Sequence, residues 1–180
     1  MRCDSGVNSV DWSPDGTTLA AGCFGKIYFV DPTTGEIKSS KKVDAGRFGV
    51  QSVAFSPKGD MVAAGCNNGN LFFVDAAAGQ IKSSLRGGKA IFSLAFSPDG
   101  QLIATGEGDP YDPSEAGAVR IYCASTGQVK RALTGHQSGV SSVHFSPDGT
   151  RLVTGSYDKT VKIWNPATGE ELCQLRVFTY

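Results

Sequence analysis

Apolar and polar residues alternate along this chain in short bursts, and the bursts recur in sets of four. Val7, Val10 and Trp12 open the first set, Val50, Val53 and Phe55 the second, Ile91, Leu94 and Phe96 the third, and Val140, Val143 and Phe145 the fourth. A period near two over a few residues predicts half-buried strands. Each opening burst runs into a Ser-Pro turn. A second apolar burst ending in Ala-Gly or Thr-Gly follows, as at residues 61–65, then a third, as at residues 71–74, and a fourth, as at residues 80–85. No stretch carries a helical period.

The punctuation between bursts repeats as well. Ser13-Pro14-Asp15-Gly16 returns at Ser56, Ser97 and Ser146, in steps of 43, 41 and 49 residues. A second marker follows each copy, at Thr34-Gly35, Ala78-Gly79, Thr126-Gly127 and Thr168-Gly169. Pro presets φ, Asp bonds its own backbone, and Gly accepts positive φ, so both markers predict tight turns. Four short strands per repeat make one twisted antiparallel sheet. Its two apolar faces need neighbouring sheets stacked on them, as the blades of a propeller are. The prediction is an all-β single domain over residues 1–180, with four four-stranded blades at about residues 7–43, 50–85, 91–133 and 140–176.

The fourth repeat carries Gly135-His136 ahead of its first strand, Ser146-Pro147-Asp148-Gly149, Asp158 in a turn, and Val161-Lys162-Ile163-Trp164-Asn165. In these residues the chain resembles the WD-repeat β-propeller family, with Trp164-Asn165 at the Trp-Asp position. The resemblance implies a buried hydrogen-bonded network of His136, Ser156 or Thr154, Asp158 and Trp164. The other repeats depart from the pattern. Val30, Val74 and Tyr122 hold the Trp position, Asn68 holds the Asp position of repeat two, the turn of repeat one is shortened around Phe24-Gly25, and no Gly-His precedes repeats one to three. Those blades are expected to rely on apolar packing alone. Repeats one and two also share Phe-Val-Asp (at Phe29 and Phe73) and Ile-Lys-Ser-Ser (at Ile37 and Ile81), the mark of a recent duplication.

Lys plus Arg equals Asp plus Glu at 17 each. That balance argues against a nucleic-acid partner. No apolar run after Met1 makes a signal peptide, and none approaches the length that spans a bilayer, so a soluble, intracellular protein, with no membrane partner and placed in the cytoplasm, is expected. Cys3, Cys23, Cys66, Cys123 and Cys173 are widely spaced without a Cys-x-x-Cys pair, which argues against zinc and against a disulfide framework. His136, Asp158 and a serine invite comparison with a catalytic triad, but their place in the blade motif makes them structural. His144 lies mid-strand, turned away from Val143 and Phe145 towards a channel or surface position. Residues 106–117 form an insertion with four acidic residues and two prolines. It has no calcium-loop pattern and reads as a solvated acidic loop. No metal or cofactor is expected.

The resemblance places the loops between second and third strands on one rim with the loops that enter each first strand, and implies that partners bind there. Arg47, Phe48, Arg86, Lys89, Phe92, Tyr111 and Tyr157, with Gln137 beside His136, are the candidate contact residues, because Arg and aromatics dominate interface hot spots. The function this supports is a non-catalytic scaffold for protein or peptide partners. Two other readings stand beside it. One is a sensor or regulatory propeller from a larger signalling NTPase-type protein, although this chain has no P-loop of its own. The other is an enzyme using a central channel, where only Asp11 and His144 offer titratable groups among the equivalent positions Asp11, Ala54, Ala95 and His144. Four blades are few for closure, and no additional strand is evident before Val7 or in the tail from Val177 to Tyr180. An open arc or partial propeller is the expectation, belonging to a longer propeller or completed by self-association, with a compact four-bladed ring as the third alternative.

Overall fold

The computed structural model describes residues 6–109, 111–112 and 114–176. Met1 to Ser5 (with Cys3), the insertion prolines Pro110 and Pro113, and the tail from Val177 to Tyr180 lie outside the described residues. Among the described residues, sixteen strands form four antiparallel sheets, each in simple meander order. The first sheet holds β1 (Val7–Trp12), β2 (Leu19–Cys23), β3 (Lys26–Val30) and β4 (Ile37–Lys42), and the second holds β5 (Val50–Phe55), β6 (Met61–Cys66), β7 (Asn70–Asp75) and β8 (Ile81–Arg86). The third holds β9 (Ala90–Phe96), β10 (Leu102–Gly108), β11 (Ala118–Cys123) and β12 (Val129–Leu133), and the fourth β13 (Val140–Phe145), β14 (Leu152–Ser156), β15 (Thr160–Trp164) and β16 (Glu171–Arg176). None of the described residues is helical.

The Ser-Pro turns work as their chemistry requires. Ser13 Oγ donates to Asp15 Oδ1 at 2.6 Å and accepts the Thr18 N–H at 2.9 Å, while Gly16 takes φ +69°. Ser97 with Asp99 and Ser146 with Asp148 repeat this contact. In the second sheet Lys58 stands at the Asp position, and Asp60 replaces it, accepting from Ser56 Oγ at 2.7 Å. In three of the four sheets the second marker is an Asx turn, and in the third sheet Cys123 stands at the Asx place. Asp31, Asp75 and Asn165 each accept two backbone N–H groups from the following residues. Asn165 therefore serves the Asp place of the Trp-Asp pair without a charge.

The chain divides into two compact units, Met1–Ile91 and Phe92–Tyr180. Within the first, Ala20, Ile27 and Phe29 on one face of the first sheet meet Val50, Val53 and Phe55 of β5 in one buried cluster. Phe29 and Phe55 pack edge to face at 6.5 Å. Polar stitches lock the same junction, since Ser9 Oγ accepts the Val53 N–H at 3.1 Å and Asp11 Oδ2 accepts the Phe55 N–H at 2.7 Å. A Cβ on Gly22 would stand 2.7 Å from Val50 Cγ1 and 3.0 Å from Val53 Cγ1, so the glycine is a seat for these valines. The second unit repeats the arrangement. Ala104, Val119 and Ile121 pack with Val140 and Val143, Ser93 Oγ accepts the Val143 N–H at 3.2 Å, and a Cβ on Gly106 would meet Val140 Cγ1 at 2.9 Å and Val143 Cγ1 at 3.1 Å.

Candidate functional site

The buried polar network of the fourth sheet runs in one direction. The Trp164 indole can only donate, and its Nε1–H reaches Thr154 Oγ1 at 2.9 Å. Thr154 Oγ1 lies 2.8 Å from His136 Nε2, and His136 Nδ1 lies 2.8 Å from Asp158 Oδ2. Every donor is used once when Thr154 donates to Nε2 and His136 carries its proton on Nδ1, an assignment made from the network. Thr160 Oγ1 and the Gln137 and Thr160 N–H groups complete the shell of Asp158. Of the two hydroxyls open in the sequence, Thr154 occupies the central place, fully buried. Ser156 does not join the ring; its Oγ donates to the Ser138 carbonyl at 3.0 Å and accepts the Asp158 N–H at 3.1 Å. It lies at the end of β14, where its hydroxyl is taken up by those two backbone groups.

Burial opposes ionisation of Asp158, but the Thr160 hydroxyl, the Gln137 N–H, His136 and the Thr160 N–H outweigh it and hold the carboxyl at about 2. A carboxyl lowered from 3.8 on folding stabilises the fold fully above pH 3.8, and that stability is lost as pH falls through about 2. Comparing urea unfolding of the wild type and Asp158→Asn from pH 7 to pH 2 checks this. The difference between them is expected to hold constant down to about pH 4 and then shrink. A difference that grows in acid would contradict it.

The third sheet departs from the expectation of apolar packing alone. Its register sets Thr105 opposite Arg120, as Thr154 lies opposite Lys162, and Tyr122 stands at the place of Trp164. Glu107, only 1% exposed, sits among them. It accepts from Thr105 Oγ1 at 2.7 Å and Tyr122 OH at 3.4 Å, and pairs with the Arg120 guanidinium. A carboxylate from β10 itself thus supplies the polar centre of a sheet without a histidine. In the first two sheets the same positions are apolar, at Ala21, Cys23, Tyr28 and Val30 and at Ala64, Cys66, Phe72 and Val74, all buried. Burial, with the charge of Asp44, pushes the Cys66 thiol up to about 12, so it stays protonated.

Two of the candidate contact groups form pairs. In the first unit, Arg47 lies over the Phe48 ring at 5.7 Å, and Phe48 is 38% exposed. The Phe48 carbonyl is pinned by Asn8 Nδ2 at 2.9 Å and Gln51 Nε2 at 2.6 Å, and its N–H reaches Asn67 Oδ1. Arg86 is exposed at the end of β8, and Lys89 is half-buried in the following loop. In the second unit, Phe92 and Tyr157 pack edge to face at 6.1 Å, with Tyr157 61% exposed. Gly108 and Gly139 make room for them, since a Cβ on either would come within 3.0 Å of Phe92 Cε2. Tyr157 is held by its own N–H, which donates to the Gly139 carbonyl at 3.0 Å. Tyr111 is exposed on the insertion, where Asp109 accepts its N–H at 2.7 Å. The pinning residues Asn8, Gln51 and Asn67 were not among the sequence candidates; their only signal was a polar residue inside or just after an apolar strand.

Other candidate chemistry does not converge. Asp11 is engaged by the Phe55 N–H, and His144 is exposed on a sheet face. Asp109 and Asp112 cap their own loop backbone. Among the described residues no group of three or more His, Cys, Asp or Glu is placed to hold a metal ion, and Cys66, Cys123 and Cys173 form no disulfide. No helix among the described residues is long and apolar enough to cross a membrane.

Comparison with known proteins follows the same repeat. The family model described as WD domain, G-beta repeat matches residues 2–27, 38–75, 79–122 and 127–165. The last three spans each run from the fourth strand of one sheet through the third strand of the next. The Periodic tryptophan protein 2 homolog of Dictyostelium discoideum is 30% identical over 162 residues, 88% of this chain and 17% of its own length. The Ribosome biogenesis protein WDR12 homolog of Nematostella vectensis is 41% identical over 95 residues, 51% of this chain and 21% of its own. The Poly(A)+ RNA export protein of Schizosaccharomyces pombe is 40% identical over 83 residues, 45% of this chain and 22% of its own. The chain thus spans about a fifth of the length of these relatives. Four meander sheets with Ser-Pro turns, Asx turns in three of them, a histidine-centred network in the last, and matched repeats over most of the sequence make this chain a member of the WD-repeat family, described as WD domain, G-beta repeat.

Proposed function

We propose that the chain is a non-catalytic interaction scaffold that binds proteins or peptides through the loops between second and third strands and those entering the first strands. The observation that carries this is the Phe92–Tyr157 pair, in which the exposed Tyr157 rests on a half-buried Phe92 and the two are fixed by two glycines and a backbone hydrogen bond. Arg47 on Phe48 supplies a second, similarly pinned contact element. Rigid aromatics and arginine lose little conformational freedom on binding and dominate interface energetics. Arg86, Lys89 and Tyr111 complete the contact set. Relatives named for ribosome biogenesis and RNA export support an intracellular setting. Those names do not single out the cytoplasm.

Alanine at Phe48, Phe92, Tyr111 and Tyr157 together is expected to reduce capture of the wild type's specific partners from cell extract by at least tenfold, read by quantitative mass spectrometry. Alanine at Thr17, Lys58 and Thr150, on the Ser-Pro turns, is the control and should leave capture intact. Unchanged capture by the aromatic variant, or equal loss in the control, would reject the reading.

A further inference from the structure

The two sheet junctions inside the units use the same parts. A glycine of the second strand (Gly22, Gly106) seats two valines of the next first strand (Val50 and Val53, Val140 and Val143), and a serine of the first strand (Ser9, Ser93) accepts the N–H of the second valine. The fourth sheet presents the receiving half once more. Gly155 and Ser142 stand paired in register on β14 and β13, as Gly22 and Ser9 do on β2 and β1. Among the described residues the atom nearest a Cβ on Gly155 is Ser142 Oγ of its own sheet, at 2.7 Å. The surrounding face is apolar and open: Val153 is 38% and Leu175 54% exposed, and Val161 and Ile163 are half-buried. The first sheet presents the inserting half. Val7 and Val10 hold the places of Val50 and Val53, and they are 49% and 57% exposed, with Trp12 beside them at 55%.

We propose that the face of the fourth sheet carrying Ser142, Val153 and Gly155 receives β1 of a second copy of this chain, with Val7 and Val10 seated on Gly155 and the Val10 N–H bonded to Ser142 Oγ. This proposal is independent of the loop-borne contact surface. The occupant is a second copy because one chain carries both complementary halves, each matching a junction made elsewhere in the same chain. The contact is heterologous, so repetition yields a closed ring or a longer head-to-tail assembly.

Complementation tests it. Purified wild type, measured by light scattering across a concentration series up to about 100 μM, a range set by the affinity of a modest interface, is expected to exceed the single-chain mass of 18.8 kDa. Val10→Glu and Val153→Glu, both at exposed positions, should each remain at single-chain mass. Mixed, they should form a one-to-one dimer, because each keeps the half that the other lacks. Ser142→Ala, which removes one hydrogen bond from an exposed site, should weaken association by up to about tenfold. Circular dichroism melts matching the wild type show that the variants fold. A wild type that stays monomeric throughout overturns the proposal, as does a glutamate variant that assembles like the wild type or a mixture that does not form dimers.

Discussion

His136→Ala is expected to destabilise the second unit by about 3 kcal/mol. Breaking a buried charged or hydrogen-bonded pair from one side costs about 3–5 kcal/mol, since the partner keeps its desolvation penalty. Here the lower end applies. Asp158 retains the Thr160 and Gln137 donors, and Thr154 retains the indole N–H of Trp164. His136 is 2% exposed and edge to face with Trp164 at 6.2 Å, so its removal also opens space against the indole. Urea unfolding followed by Trp164 fluorescence, in a Trp12→Phe background, isolates this unit. Ser156→Ala should cost only about 1 kcal/mol, the worth of an ordinary hydrogen bond. The double variant of His136→Ala with Thr154→Ala should fall short of the sum of the singles, since both act in one chain of donors. Equal losses for His136→Ala and Ser156→Ala would show that the ring carries no special stability.

The second large effect concerns Glu107. Glu107→Ala strips the acceptor from Thr105, which is fully buried, and from Tyr122 and Arg120 together. A loss of about 3 kcal/mol is expected. Replacing the whole set by the residues of the second sheet reverses the expectation. Thr105→Ala, Glu107→Cys, Arg120→Phe and Tyr122→Val together recreate the apolar group of Ala64, Cys66, Phe72 and Val74, which packs at equivalent register positions. A buried ionic cluster exchanged for apolar residues is often neutral or stabilising, because no group is left without a partner. The fourfold variant should therefore unfold within about 1 kcal/mol of the wild type. A fourfold variant as unstable as Glu107→Ala would show that the polar centre is required in this sheet for packing and not only for its own satisfaction.

Much of the molecule is legible before folding. The four-by-four strand count and most of the turn chemistry follow from alternation and from Ser-Pro and Gly markers, each acting over a few residues, whereas β10 runs on through Gly106, Glu107 and Gly108, the first residues of the expected insertion loop. Even the departures obey local chemistry, as where Asp60 takes over from Lys58's position in the second turn. The resemblance carried by the fourth repeat also implies the grouping of His136, Asp158 and Trp164, which the fold brings together.

What the sequence could not decide is whatever depends on register and on sheets meeting. Thr154 and Ser156 are two apart on one strand and share a face, so alternation cannot choose between them; the position of the imidazole does. Glu107 looked like part of an acidic loop, and only the pairing of Thr105 with Arg120 turns it into a buried centre. Phe92 and Tyr157 come from different sheets and meet across two glycines whose sequence context gave no sign of the contact. Turns and strands are set by neighbours along the chain and can be read from it. Partners across a sheet or between sheets are set by burial and by hydrogen bonds that must be satisfied together, and only the folded arrangement settles which groups those are.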